Sequence, residues 1–191
     1  MRNTLASIVL TISAAAAASA EPWRVEVLME SEHGMGGAAI GDLDPVAPGS
    51  EVAVVNDAGE AWLVGRAGGT WRPERIHAGK GEMIMCAIGD ADPGHRGNEF
   101  VGVGMVEGAE SSQGPGQAVL VWKDGERWSS RVIFQDTHLL HGVAIGDVSA
   151  AHPGNEVVVC GFNHRVQLLY SDGGSWKHET IYVANDRLKI V

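Results

Sequence analysis

The chain is 191 residues long, with 14 Lys and Arg against 24 Asp and Glu for a formal net charge of −10, 45% hydrophobic and 6% aromatic residues. That much negative charge repels phosphate backbones and anionic lipid, so nucleic-acid binding and membrane-surface binding are disfavoured. Only two cysteines are present, Cys86 and Cys160, which excludes a disulfide-stapled miniprotein. They fall in strand-like runs of different repeats, and stand either as two buried thiols or, in an oxidising compartment, as a disulfide.

Residues 1–20 have the form of a signal peptide. Arg2 gives a short positive start, Leu5 to Ala18 is apolar and alanine-rich, and Ala18-Ser19-Ala20 suits a signal peptidase. The apolar run is too short for a transmembrane helix, and no later stretch could span a bilayer, so membrane insertion is not expected. The expected location is therefore secreted or periplasmic, with cleavage after Ala20. The remaining residues, 21–191, suffice for one ordinary domain core.

The tetrapeptide Ala39-Ile40-Gly41-Asp42 returns as Ala87-Ile88-Gly89-Asp90 and as Ala144-Ile145-Gly146-Asp147. Nine residues after each Asp stands a Glu (Glu51, Glu99, Glu156), preceded two positions earlier by a Gly (Gly49, Gly97, Gly154). Trp23, Trp71, Trp128 and Trp176 each precede an apolar residue by five positions: Leu28, Ile76, Ile133 and Ile181. Fixed-period self-similarity of this kind marks a repeat architecture. Each repeat contains four short runs rich in Val, Ile, Leu and Trp, separated by Gly, Pro, Asn and Asp. The predicted strands are 37–42, 51–55, 61–65 and 71–76 in the first repeat. In the second they are 85–90, 99–103, 118–122 and 128–133, and in the third 142–147, 156–160, 166–170 and 176–181. Asp124-Gly125 and Asp172-Gly173 signal hairpin turns, and no helical periodicity follows the signal segment.

Four antiparallel strands in a repeat of about 48 residues predict an all-β fold, a β-propeller built from four-stranded blades. A β-sandwich is the runner-up, although it has no need of an exact repeat. The expected blades span about 35–77, 83–134 and 140–182. Residues 21–29 match strand four of an incomplete blade, and residues 183–191 match the start of a further one. Three blades plus an extra N-terminal strand predict a partial or truncated propeller, because a blade cannot bury its faces alone. Closure by oligomerisation is the alternative.

The pattern Ile-Gly-Asp-x-Asp, followed by Pro-Gly-Asn-Glu-Val-Val-Val (153–159), resembles the FG-GAP/VCBS-type repeats of integrin-α-like and secreted bacterial propellers. The loop Gly-Asp-Leu-Asp-Pro to Pro-Gly-Ser-Glu (41–51) is also similar to loops in the propeller of rhamnogalacturonan lyases. The resemblance implies bound calcium between strands one and two of each repeat. Its ligands would be Asp42, Asp44 and Glu51, then Asp90, Asp92 and Glu99, then Asp147 and Glu156, with Ser149 in the middle position of the third loop. Calcium takes six to eight oxygens, and Val46, Gly94 and Ala151 stand where the common Asp-x-Asp-x-Asp-Gly form has its third acid. The alternative is that each Asp closes an Asx-type turn while the distant Glu braces the loop.

On the opposite rim, His33, Glu82, His138 and His141 lead into strand one. His33 and His138 both stand seven residues before the anchor isoleucine. With the glycine- and serine-rich insertion at 107–116 they mark a candidate ligand face, since binding residues concentrate on loops held by rigid scaffolds. The alternative is that the histidines are surface or structural groups and the insertion a solvated loop. His77, His95, His152, His164 and His178 show no repeating spacing in this reading. The repeated tryptophans are expected to cover hairpins as core rather than to stack on sugars. No catalytic constellation is recognisable, so a non-catalytic module binding protein or glycan is expected. A fragment of a carbohydrate-active propeller enzyme and a purely structural array are the competing readings.

Overall fold

Val, Ile and Leu crowd the segments between the Gly-, Asp- and Asn-rich gaps, and each such segment forms a strand. The computed structural model describes residues 25–47, 49–109, 111 and 113–186. Residues 1–24, with the expected signal peptide and Trp23, and residues 187–191 lie outside the described residues. The twelve strands are β1 (Met35–Gly41), β2 (Glu51–Asn56), β3 (Glu60–Ala67), β4 (Thr70–Ala78), β5 (Glu82–Gly89), β6 (Glu99–Met105), β7 (Gly116–Asp124), β8 (Arg127–Asp136), β9 (Leu140–Gly146), β10 (Glu156–Gly161), β11 (Arg165–Asp172) and β12 (Ser175–Val183). Among the described residues there is no helix. Of the segment 21–29, expected to supply an extra strand, the described residues 25–29 carry none.

The strands form three antiparallel sheets of four, in the orders β1-β2-β3-β4, β5-β6-β7-β8 and β9-β10-β11-β12. One register recurs in all three: Ile40 opposite Val52, Ile88 opposite Phe100, and Ile145 opposite Val157. Repeat-equivalent residues can therefore be compared position by position. The hairpins between third and fourth strands turn on Gly68-Gly69, Gly125-Glu126 and Gly173-Gly174, each closed by two residues. Asp124 and Asp172 thus end their strands, one position before the turn. Gly49, Gly97 and Gly154 all have φ between 97° and 136°, a region hostile to a side chain, which accounts for the repeated Gly before each loop glutamate.

Two apolar cores lie between the sheets. Ala53, Val55 and Leu63 of the first sheet meet Phe100, Val119 and Val121 of the second. Val101, Val103 and Leu120 of the second meet Val157, Val159 and Leu169 of the third. Because β6 supplies both cores, its two faces are buried, and its sequence is continuously apolar rather than alternating. Cys86 belongs to the first core, and both Cys86 and Cys160 are free thiols. Burial pushes the Cys86 thiol up to about 12, so it stays uncharged and unreactive.

The first strands lie side by side, β1 against β5 and β5 against β9. A Cβ on Gly41 would fall 2.7 Å from Cγ2 of Ile88, and one on Gly89 would fall 2.8 Å from Cγ2 of Ile145. Ile88 and Ile145 therefore sit in the hollows left by the glycines of the preceding repeats. Polar links add to this nesting. Asn98 Nδ2 donates to the Asp42 carbonyl and Asn155 Nδ2 to the Asp90 carbonyl, both at 2.7 Å. The expected tryptophan core is only half formed: Trp71, Trp128 and Trp176 are half-buried. Trp128 Nε1 donates to Glu74 Oε1 in the preceding sheet at 2.9 Å, whereas Trp71 Nε1 and Trp176 Nε1 are buried without an acceptor.

The nesting gives an asymmetric expectation, because nothing lies within 4 Å of a Cβ built on Gly146. Gly89→Ala should lower stability by about 1–3 kcal/mol through overpacking, while Gly146→Ala should change it by less than about 0.5 kcal/mol. Urea denaturation of both variants measures the difference, and equal costs would remove the nest as a constraint.

Candidate functional site

The loops joining first to second strands, 42–50, 90–98 and 147–155, share one hydrogen-bond plan. Glu51, Glu99 and Glu156 are buried, and each accepts two loop N–H groups through Oε2. Glu51 takes those of Leu43 (2.8 Å) and Asp44 (3.4 Å), Glu99 those of Ala91 (2.7 Å) and Asp92 (3.1 Å), and Glu156 those of Val148 (2.9 Å) and Ser149 (3.2 Å). Asp44, Asp92 and Ser149 then close the turn, each accepting the N–H two residues on. Asp42, Asp90 and Asp147 are exposed.

Two of these carboxylates also reach basic side chains. Asp44 Oδ2 meets Lys123 Nζ of the second sheet at 2.5 Å. Burial raises the Asp44 pKa, but the Lys123 bond and the N–H groups of Val46 and Ala47 outweigh it, so the carboxyl titrates below its ordinary value. Asp92 Oδ2 meets Arg131 Nη2 at 2.5 Å, and Asp92 Oδ1 accepts from Ser171 of the third sheet at 3.2 Å. Among the described residues, no group of three or more His, Cys, Asp or Glu side chains is disposed to hold a metal ion. A calcium ion ligated by Asp44 or Asp92 would have to displace Lys123 or Arg131.

The same turn places a histidine. The carbonyls of Asp92 and Ser149 accept the N–H of His95 (2.9 Å) and His152 (3.1 Å). The His95 ring then stacks on Trp122, with centroids 4.4 Å apart and planes at 11°, and the His152 ring stacks on Tyr170 at 3.6 Å and 12°. Trp122 and Tyr170 are equivalent in register, since their preceding residues pair with Phe100 and Val157. Each stack walls a cleft. The first, of about 740 Å³, is lined by Pro45, His95, Arg96, Trp122, Lys123 and Asp124. The second, of about 440 Å³, is lined by Pro93, His152, Pro153, Tyr170 and Asp172. In the first repeat the stacking positions are Ala47 and Gly65, and a pocket of about 440 Å³ opens beside them, bordered by Leu63, Arg72 and Glu74.

Sequence reasoning passed over this pair although a signal was present. His95 and His152 both stand seven residues after an anchor isoleucine, and the first repeat hides the correspondence by carrying Ala47 there.

The residues proposed for the opposite rim are dispersed. His33 precedes β1, is exposed, and has Nδ1 3.4 Å from Asp57 Oδ1. His138 has Nδ1 3.0 Å from Thr137 Oγ1. His141 stacks on Phe162 at 5.9 Å, with its Nδ1 buried and unpartnered. His33 belongs to the first sheet and the other two to the third. The insertion instead borders a cleft of about 460 Å³ with His77, Lys80, Gln117 and Ser130, and Glu107 pairs with Lys80 at 3.1 Å.

Glu99 is the most perturbed acid beneath the clefts. Burial pushes its carboxyl up to about 7 against the two N–H bonds that lower it, and the charges of Asp90 and Asp92 raise it further. Its Oε1 has no hydrogen bond and lies 3.8 Å from the equally unpartnered His95 Nδ1. A raised folded pKa favours the folded state most at low pH, where the acid is protonated in both states, and that advantage is lost as pH rises from about 4.5 to about 7. Relative to Glu99→Gln, the wild-type chain should lose on the order of 3 kcal/mol of stability across that window. Denaturation of both proteins at either end checks this, and parallel pH profiles would refute it.

No protein-family model matches the chain, and no curated protein matches it.

Proposed function

We propose that the chain is an exported, non-catalytic β-propeller module that binds glycan in the repeated clefts between its sheets. The blade reading is supported by the exact register shared by three four-stranded sheets and by their first strands lying side by side. Export is supported by the form of residues 1–20. The observation that carries the binding reading is the duplication of one cleft design. Each cleft has a proline from the preceding loop, a histidine stacked on an aromatic ring, and an aspartate at the hairpin turn. Aromatic faces accept the C–H surface of a sugar, and polar groups, Arg96, Lys123 and Asp124 in the first cleft and Ser171 and Asp172 in the second, bond to its hydroxyls. Two sites on one rigid frame also gain from multivalency toward a repeating polymer.

Glu99 favours a second reading, a carbohydrate-active enzyme. A carboxyl titrating near neutrality beside a histidine resembles an acid–base pair. Its side chain is buried beneath His95, however, and its other oxygen is committed to the loop N–H groups. We favour the structural role for it.

A glycan array probed with the purified chain, in calcium and in chelator, tests the binding reading. Trp122→Ala and Tyr170→Ala should each weaken binding by about tenfold, and the double variant should abolish the gain from multivalency. Binding of a protein but no glycan would replace the ligand class. Turnover of an oligosaccharide that disappears in Glu99→Gln would overturn the non-catalytic assignment.

A further inference from the structure

The two apolar cores lie between the first and second sheets and between the second and third. The first and third sheets each keep one face that no other sheet covers among the described residues. On the first sheet this face carries the half-buried Val52 and Trp62 beside Val64, which is already buried; they are the register equivalents of Phe100, Val119 and Val121, by which the second sheet meets the first. On the third it carries the half-buried Val158 and Cys160 beside Leu168, which is already buried; they are the equivalents of Val101, Val103 and Leu120, by which the second meets the third. The two faces are thus the opposite halves of an interface that the chain already makes twice.

Specific half-contacts stand on each. Ile88 and Ile145 fill glycine hollows, but Ile40 is 74% exposed. The hollow at Gly146 is empty, since a Cβ there would meet nothing within 4 Å. Asn98 and Asn155 hold the carbonyls of Asp42 and Asp90, so the next acceptor in the series is the Asp147 carbonyl, and the donor at the matching first-sheet position is the exposed Ser50. Trp62, with the Arg75 guanidinium 5.8 Å over its ring, adds the residue types that anchor protein interfaces.

We propose that a second copy of the chain docks head to tail, the first sheet of each copy on the third sheet of the other. Ile40 then enters the Gly146 hollow, and Ser50 caps the Asp147 carbonyl. The described residues of two chains bring six sheets, within the roughly four to eight that a ring of blades takes to close. The contact is heterologous, and closure after two copies keeps it from growing into a filament. It rests on the packing within the chain, and its ring geometry rests on the blade reading, but neither depends on the glycan proposal.

Sedimentation velocity of the purified chain across roughly 1–100 µM tests this. The expected result is a two-copy mass. Ile40→Asp and Gly146→Trp both alter exposed or open positions, so each should keep the β-sheet circular-dichroism spectrum. Each should raise the dissociation constant about 10- to 100-fold. Mixing the two variants should restore association, because an intact Ile40 and an intact Gly146 then meet across one contact. A monomer at every concentration, an open-ended ladder of masses, a dimer indifferent to both variants, or a mixture that stays monomeric would overturn the proposal.

Discussion

The seating of an isoleucine in the glycine hollow of the preceding repeat is the constraint on which the rest of the structure depends. Gly41 under Ile88 and Gly89 under Ile145 bring the first strands within side-chain contact. That distance lets Phe100, Val101 and their neighbours on β6 bury both faces in two separate cores. A methyl group on either glycine would have to displace the branched carbon of an isoleucine, and close-packed interiors resist even that much added volume. The dense backbone pairing of each sheet stabilises the sheet alone. The nest is what relates one sheet to the next.

Above the nest, buried glutamates organise the rim. Each takes two loop N–H groups that would otherwise be buried unpaired, and leaving a buried donor unsatisfied costs about 1–3 kcal/mol. With the loop fixed, the residue that follows the turn is fixed too, and in two repeats that residue is a histidine held against an aromatic ring. Lys123 and Arg131 complete the frame, one spanning from the second sheet to Asp44 and the other bracing Asp92 within its own sheet. Of the carboxylates that look like cation ligands in the sequence, Asp44, Asp92 and the three glutamates therefore have partners of their own, main-chain amides, a lysine and an arginine, while Asp42, Asp90 and Asp147 stand exposed.

Much of this architecture was legible in the amino-acid order. The predicted strands fall inside the observed ones in nearly every residue. Strand content is legible because β-branched runs punctuated by glycine leave the backbone few choices. The glutamate was correctly seen as a candidate loop brace. The ligand surface was harder to read. His95 and Trp122 lie 27 residues apart in sequence and meet only because β6 and β7 pair in register. On the other rim His33 and His138 share a spacing, yet His33 lies beside the first sheet and His138 and His141 beside or in the third, with the second sheet between them. Spacing along the chain shows which residues are equivalent, but not which of them face the same space.

The links between neighbouring sheets differ in how much they demand of the sequence. Asn98 and Asn155 donate to main-chain carbonyls, which every residue at positions 42 and 90 would offer equally. Only the donor side is chemically specified. The acceptor loops can therefore change their charge, their length beyond the bond and their affinity for whatever occupies the rim, while the spacing from sheet to sheet is preserved. An architecture fastened through its peptide groups leaves side chains free to diversify where partners are met.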